Sequence, residues 1–348
     1  MHMADALLSP PVGAVMWSAA AAVTAHSARR VQPGLDNAKI PLMGAVGAFV
    51  FAAQMINFAI PGTGSSGHLG GGLLLAVLLG PHAAFLVLAS VLTVQALFFA
   101  DGGLLALGCN IFNLGFLPCY IGYPLVYRKI VPHHRASRRR LFSGLVAAAI
   151  FSLQLGSLGV VLQTYFSGIS ALPFGSFLLV MQPIHLAIGL VEGVATAGII
   201  TFLRQARPDI LAETETAQSP GRQPGRILIA GFLAAALLTG TVLAWFSSRQ
   251  PDGLEWSIER VAGSQPLNSP GKIHAALENV QEKTVILPDY DFQGSGTMSP
   301  DNSPASLRAG SSAAGIVGAM LIMAFSFVVG FILKKRKQRP KQLPQNSP

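Results

Sequence analysis

Residues 66–81 read SGHLGGGLLLAVLLGP, and whether this stretch crosses a membrane decides the topology of the whole chain. It is glycine-rich at one end, apolar in the middle and closed by Gly80 and Pro81. It falls short of the roughly 20 apolar residues that cover about 30 Å of hydrocarbon as a straight helix. It is therefore expected to be a tilted or broken span.

The surrounding chain places this stretch in a bilayer. Of 348 residues, 51% are hydrophobic and 11% charged, with a mean hydropathy of +0.52, values outside the soluble globular range. Apolar runs of spanning length occur at 12–28, 40–60, 82–100, 104–127, 141–166, 175–203, 227–246 and 313–333. With residues 66–81 counted as a ninth crossing and the N-terminus outside, 19 of the 24 lysines and arginines fall on the inner side, as the positive-inside rule requires. Without that crossing, Arg29–Arg30 and the Arg138–Arg140 cluster would face opposite sides. The expected fold is an all-α polytopic membrane protein: seven spans, then two more enclosing a small extracytoplasmic region at about 247–308, with a cytoplasmic C-terminus. That region carries eight of the 15 acidic residues. Residues 205–226, rich in polar residues, proline and glycine, read as a cytoplasmic linker.

The net charge of +9 lies in short clusters between spans and not along an aromatic-lined groove, which argues against nucleic acid. Cys109 and Cys119 suggest no disulfide framework or thiolate metal site. Gly62, Gly64 and Gly67 match GxGxxG in form, and Gly62 and Gly67 have the outer spacing of a phosphate loop. However, no βαβ unit surrounds them, and His68 and Leu69 stand where a phosphate loop needs Lys and Ser or Thr. The chain is not expected to hydrolyse ATP, and with no HExxH or paired-aspartate motif in any span it is not expected to be an enzyme.

The N-terminus, MHMADALLSP, lacks the basic segment of a secretory signal and places a histidine second. A free α-amine and the His2 amide nitrogen close a five-membered chelate ring. The same amide nitrogen and His2 Nδ1 close a six-membered one. Three nitrogens then share a plane with a fourth corner open, and His68, expected on the same side, can fill it. Such a set suits Ni(II) or Cu(II) better than Zn(II), Mg(II) or Ca(II), and binding weakens in acid because the ligands lose protons. The bulk of His2 disfavours removal of Met1, and Leu7 and Leu8 give the end apolar anchors. Other polar groups within spans are Asn57, Gln95, Asn110, Asn113, His185 and Glu192. His185 and Glu192, seven apart, share a helix face and read as structural. Ala21 and Ala25, four apart, give a smooth face for another helix.

Taken together, MHMADALLSP, FVFAAQMINFAIPGTGSSGHLGGGLLLAVLLGP, VQALFFADGGLLALGCNIFN and HLAIGLVEG resemble the substrate-binding membrane subunit of nickel and cobalt energy-coupling-factor transporters, the NikM/CbiM family, over residues 1–204. The stretch from 227 to 348, with PDGLEWSIERVAG and PDYDF, resembles the PDGLE domain fused behind it in NikMN-type proteins. The resemblance implies that Met1, His2 and His68 hold the metal, transported Ni(II) or alternatively Co(II) for cobalamin synthesis, with no organic cofactor. It implies as partners a transmembrane coupling subunit of NikQ/CbiQ type and cytoplasmic ATPases of NikO/CbiO type, in the inner membrane. Family members often begin MHIPDG, so this chain lacks the proline and glycine at residues 4 and 6. An autonomous ion-coupled transporter is the competing class, with Glu192 its sole deep acidic candidate.

Overall fold

A computed structural model shows a helical bundle with one irregular segment threaded into it. It describes residues 1–35, 39–133, 136–206, 226–263, 271–292 and 304–337. Helix α1 (Pro10–Val31) begins on a proline pair, whose fixed φ and missing N–H suit a first turn. Helix α2 (Lys39–Gln54) corrects the expected span at 40–60. It stops at Gln54, and β1 (Phe58–Ile60) pairs antiparallel with β2 (Ser65–Gly67) around the turn at Pro61–Gly64. Proline and glycine favour that turn over continued helix.

The stretch at 66–81 is broken. It runs from β2 through four non-helical residues, 68–71, into α3 (Gly72–Leu79), which at 1.5 Å per residue is only about 12 Å long. All eight α3 residues are buried. After Gly80, α4 (Pro81–Phe98) turns back. Helix α5 (Leu107–Ile130) winds through wide π turns over Phe112–Tyr127, which accommodate Pro118 and Pro124. Helices α6 (Arg138–Ser167) and α7 (Phe174–Ala206) pack along each other, and α2, α4, α5, α6 and α7 all touch α3. At one end of α3 the His82 ring lies 5.4 Å from the His26 ring of α1, close in sequence to Arg29 and Arg30. At its other end lies the loop carrying His68. The segment therefore joins the two ends of the bundle without being one regular span.

In the second part, α8 (Arg226–Thr241) and α11 (Pro304–Lys337) pack on α2 and on each other. The short helices α9 (Gly253–Ala262) and α10 (Lys272–Thr284) lie against α7 and α4. Among the described residues six helices are long and apolar enough to cross a membrane: α4, α5, α6, α7, and the segments Arg226–Phe246 and Arg308–Lys335. Helices α1, α2 and α3 lie at the other three expected positions but are not among these six. Most of the expected linker, residues 207–225, lies outside the described residues, as do 264–270 and 293–303 of the expected external region. Both cysteines are buried and free.

Helices α8 and α11 meet backbone to backbone at two glycines, Gly240 and Gly315. A Cβ on Gly315 would come within 2.4 Å of the Gly240 carbonyl oxygen, backbone that no rotamer change can move. Overpacking of this kind costs about 1–3 kcal/mol. Gly315→Leu is expected to lower the thermal unfolding midpoint of the detergent-solubilised chain, whereas Gly198→Ala, with open space around its Cβ, should leave it unchanged.

Candidate metal centre

The first eight residues fold into the bundle end. Met3, Leu7 and Leu8 are fully buried, supplying the apolar anchorage expected of the leucines. The Met3 N–H donates to Asn110 Oδ1 at 2.8 Å, and the Met3 carbonyl accepts from the Gly103 N–H at 2.9 Å. Asp5 Oδ1 accepts from the Ala106 N–H, and residues 5–7 make a single 3-10 turn. The path of residues 3–6 is thus fixed by hydrogen bonds to the segment between α4 and α5 and to the first turns of α5, with alanine at positions 4 and 6. The Met1 side chain packs toward α6, where a Cβ on Gly156 would lie 2.8 Å from Met1 Cε.

This anchoring delivers the α-amine of Met1 to His68. The amine lies 2.8 Å from His68 Nε2, and the His2 and His68 rings stack with centroids 5.0 Å apart and planes 13° apart. His68 Nδ1 lies 3.1 Å from the Leu69 carbonyl. A carbonyl can only accept, so the proton sits on Nδ1 and the Nε2 lone pair faces the amine. His2 Nδ1 pairs with Asp101 Oδ1 at 3.1 Å. The three residues expected to converge do so.

Two acidic residues join them, and sequence reasoning had assigned neither. Asp252 Oδ2 accepts from the Met1 amine at 2.7 Å. Its Oδ1 caps α9, accepting from the Leu254 and Glu255 N–H groups, while Glu255 returns a carboxylate to the Asp252 N–H. That capping box, D-x-x-E, is legible in PDGLE as a helix start, but nothing in the sequence aims its second oxygen at Met1. Burial opposes ionisation of Asp252, yet the terminal ammonium beside it, through its charge and hydrogen bond, holds its pKa below the usual carboxylate range. Burial likewise opposes Asp101, but His2, through its charge and hydrogen bond, and a hydrogen bond from the Tyr290 hydroxyl bring its pKa below that range.

The other polar residues noted in spans mostly hold backbone in place. Glu192 accepts from the Gly70 and Gly71 N–H groups at 2.9 and 3.1 Å. Gln95 bonds Gln54, which bonds the Gly70 carbonyl. Asn113 pairs with Gln163, and Asn57 bonds Ser247 and Ser248 through its backbone. His185, which shares its helix face with Glu192 as expected, lines a cavity with Met1, His68 and Asp252. Among the described residues no three His, Cys, Asp or Glu side chains form a metal cage.

This multi-pass helical bundle buries its amino terminus against two imidazoles and a carboxylate, and its relatives are named as metal transport proteins rather than enzymes. The profile of the CbiM family, described as the cobalt uptake substrate-specific transmembrane region, matches residues 2–210, and that of the PDGLE domain matches 226–335. The chain belongs to the CbiM family and carries a PDGLE domain behind it. A relative from Archaeoglobus fulgidus, provisionally named as the fused nickel transport protein NikMN, is 33% identical over 94% of this chain and 98% of its own. A cobalt transport protein CbiM from Geobacter sulfurreducens is 32% identical over 75% of this chain and 78% of its own. A solved transition metal transporter superposes with a TM-score of 0.54 at 29% identity, covering 63% of this chain and all of the other. Nickel or cobalt transport is thereby the class of function.

The depressed pKa of Asp252 has a definite sign for stability. A carboxylate that ionises more readily folded than unfolded contributes stability above its ordinary pKa, and that contribution is lost as pH falls below it. Asp252→Asn should lower stability by up to about 3 kcal/mol near neutrality, where it leaves a buried ammonium unpaired. Thermal melts of both proteins should show this difference constant from about pH 6.5 to 5 and shrinking below about pH 4.

Proposed function

We propose that the chain is the metal-binding and translocating membrane subunit of an ATP-driven energy-coupling-factor transporter that takes up nickel. Its ligands are the Met1 amine, the amide nitrogen and imidazole of His2, and His68. The observation that carries this reading is the 2.8 Å separation of the Met1 amine from His68 Nε2. Two donors at right angles on one ion, each about 2.0 Å from it, lie about 2.8 Å apart. His2 Nδ1 is held by Asp101, so chelation turns that imidazole from the carboxylate to the ion and leaves Asp101 beside the site as a negative charge. A planar nitrogen set with a deprotonated amide favours Ni(II). Co(II) is the second reading, supported by the naming of CbiM relatives for cobalt.

In this reading residues 1–204 are the substrate-binding unit, 205–226 a cytoplasmic linker and 227–348 the PDGLE unit. The N-terminus faces outward, where the ion arrives, and the C-terminus lies in the cytoplasm. Energy comes from separate ATPases through a NikQ/CbiQ-type coupling subunit. The exposed face of α1, with Ala21, Ala22 and Ala25, is smooth enough to receive a helix of that subunit.

The test is to place one extra residue before Met1, converting the amine into an amide. Titration with Ni(II), followed through the visible absorption of a square-planar complex, should then show tight binding abolished. His68→Ala should weaken binding by more than the roughly 10–100-fold typical of losing a supporting partner around a metal. A chain with the extension that keeps tight binding and the planar spectrum would overturn the chelate.

A further inference from the structure

The cavity beside the Met1 amine has a second imidazole on its wall that the four-nitrogen set does not use. His185 of α7 is 1% exposed, and its Nδ1 lies 2.8 Å from the Met181 carbonyl one turn earlier. That carbonyl fixes the proton on Nδ1 and leaves Nε2 with its lone pair, the form in which histidine ligates metals. Nε2 is fully buried and has no hydrogen-bond partner among the described residues. A bare buried acceptor is costly, so its position is informative.

Asp252 lines the same cavity. The second part of the chain packs tightly there: a Cβ on Gly253 would lie 3.3 Å from His185 Cε1. Asp252 Oδ1 is occupied by the start of α9, but Oδ2 accepts only from the Met1 amine and retains acceptor capacity. A neutral imidazole nitrogen and a carboxylate oxygen are both electron-pair donors, so neither can satisfy the other. One imidazole nitrogen with one carboxylate oxygen suits a borderline divalent transition metal, whereas Mg(II) and Ca(II) prefer all-oxygen shells.

We propose that His185 Nε2 and the Asp252 carboxylate form a second, labile position for a divalent transition metal ion. It is shared between the two parts of the chain, and from it the ion passes to the Met1, His2 and His68 nitrogens. The role as a transfer station rests on the function proposed above; the donor pair does not. With two protein donors the position binds weakly and exchanges quickly, so it affects the rates of loading and release and not the final affinity.

The test uses the full chain in detergent with Co(II) and Ni(II) as probes. In His2→Ala/His68→Ala, where the nitrogen set is broken, one weak Co(II) equivalent with visible absorption should remain. Adding His185→Gln should weaken it at least about ten-fold. In the chain with His2 and His68 intact, His185→Gln should slow both the appearance of the planar Ni(II) spectrum and its loss to a chelator by about ten-fold. The spectrum and equilibrium affinity should stay unchanged. His185→Asn serves as a second variant where glutamine impairs folding. The proposal is overturned if no weak Co(II) site remains in the double variant, if that site ignores His185, or if both rates keep their native values. An altered equilibrium spectrum in both His185 variants overturns it too, because that marks a merely structural residue. An extended N-terminus that keeps the planar spectrum would sink the nitrogen chelate while leaving the Co(II) comparison intact.

Discussion

A terminal ammonium is a full charge, and this fold buries it. Met1 is 5% exposed, a placement whose desolvation penalty only good partners offset. Those partners come from distant parts of the chain: His68 Nε2 from the threaded segment and Asp252 from the start of α9. Removing either leaves a buried charge poorly paired, so the bundle, the threaded segment and the second part are tied energetically through one nitrogen atom.

The second part closes over that end of the bundle by more than one contact. Pro251 and Gln250 carbonyls accept from Ser66, two residues before His68. The His274 ring meets the Leu8 carbonyl at 2.8 Å, and Gln281 donates to the Ala96 and Gly102 carbonyls. Tyr290 donates to Asp101, the carboxylate that holds His2. Each bond ends on a residue that positions Met1, His2 or His68, or on a near neighbour of one. The PDGLE region therefore forms one wall of this cluster, with Asp252 beside the Met1 amine.

How much of this was legible in the sequence follows from the range of the interactions involved. The convergence of Met1, His2 and His68 was readable because charge counting put His68 on the same side as the N-terminus, where the two do meet. The helix start at Asp252 was readable from D-x-x-E, four adjacent residues. The aim of Asp252 at Met1 was not, since it joins positions 251 apart and no local pattern encodes it. The span expected at 40–60 failed for a related reason: hydropathy averages over Asn57 and ignores the turn at Pro61–Gly64 just beyond, which draws Phe58–Ile60 into a strand. His185 and Glu192 were correctly placed on one face of α7, but only the packing of β2, α3 and α9 separates an imidazole lining the cavity from a carboxylate holding backbone.

The glycines before α3 show why the threaded segment can exist at all. Residues 68–71 have no helix or sheet to satisfy their backbone, and hydrocarbon tolerates such backbone only where protein encloses it. Here Glu192 takes the N–H groups of Gly70 and Gly71, and Gln54 donates to the Gly70 carbonyl. Side chains on these glycines would collide with the protein packed around the segment. A Cβ on Gly70 would lie 3.1 Å from Glu192 Oε2, one on Gly71 2.5 Å from Val50, and one on Gly72 2.7 Å from the Leu114 carbonyl. Gly71 also needs a φ of +73°, which glycine adopts without steric cost. The run GGG is thus what lets a chain segment descend from His68 into the bundle without forming a long helix. A regular span of 20 residues would have no such loop with which to bring His68 to Met1.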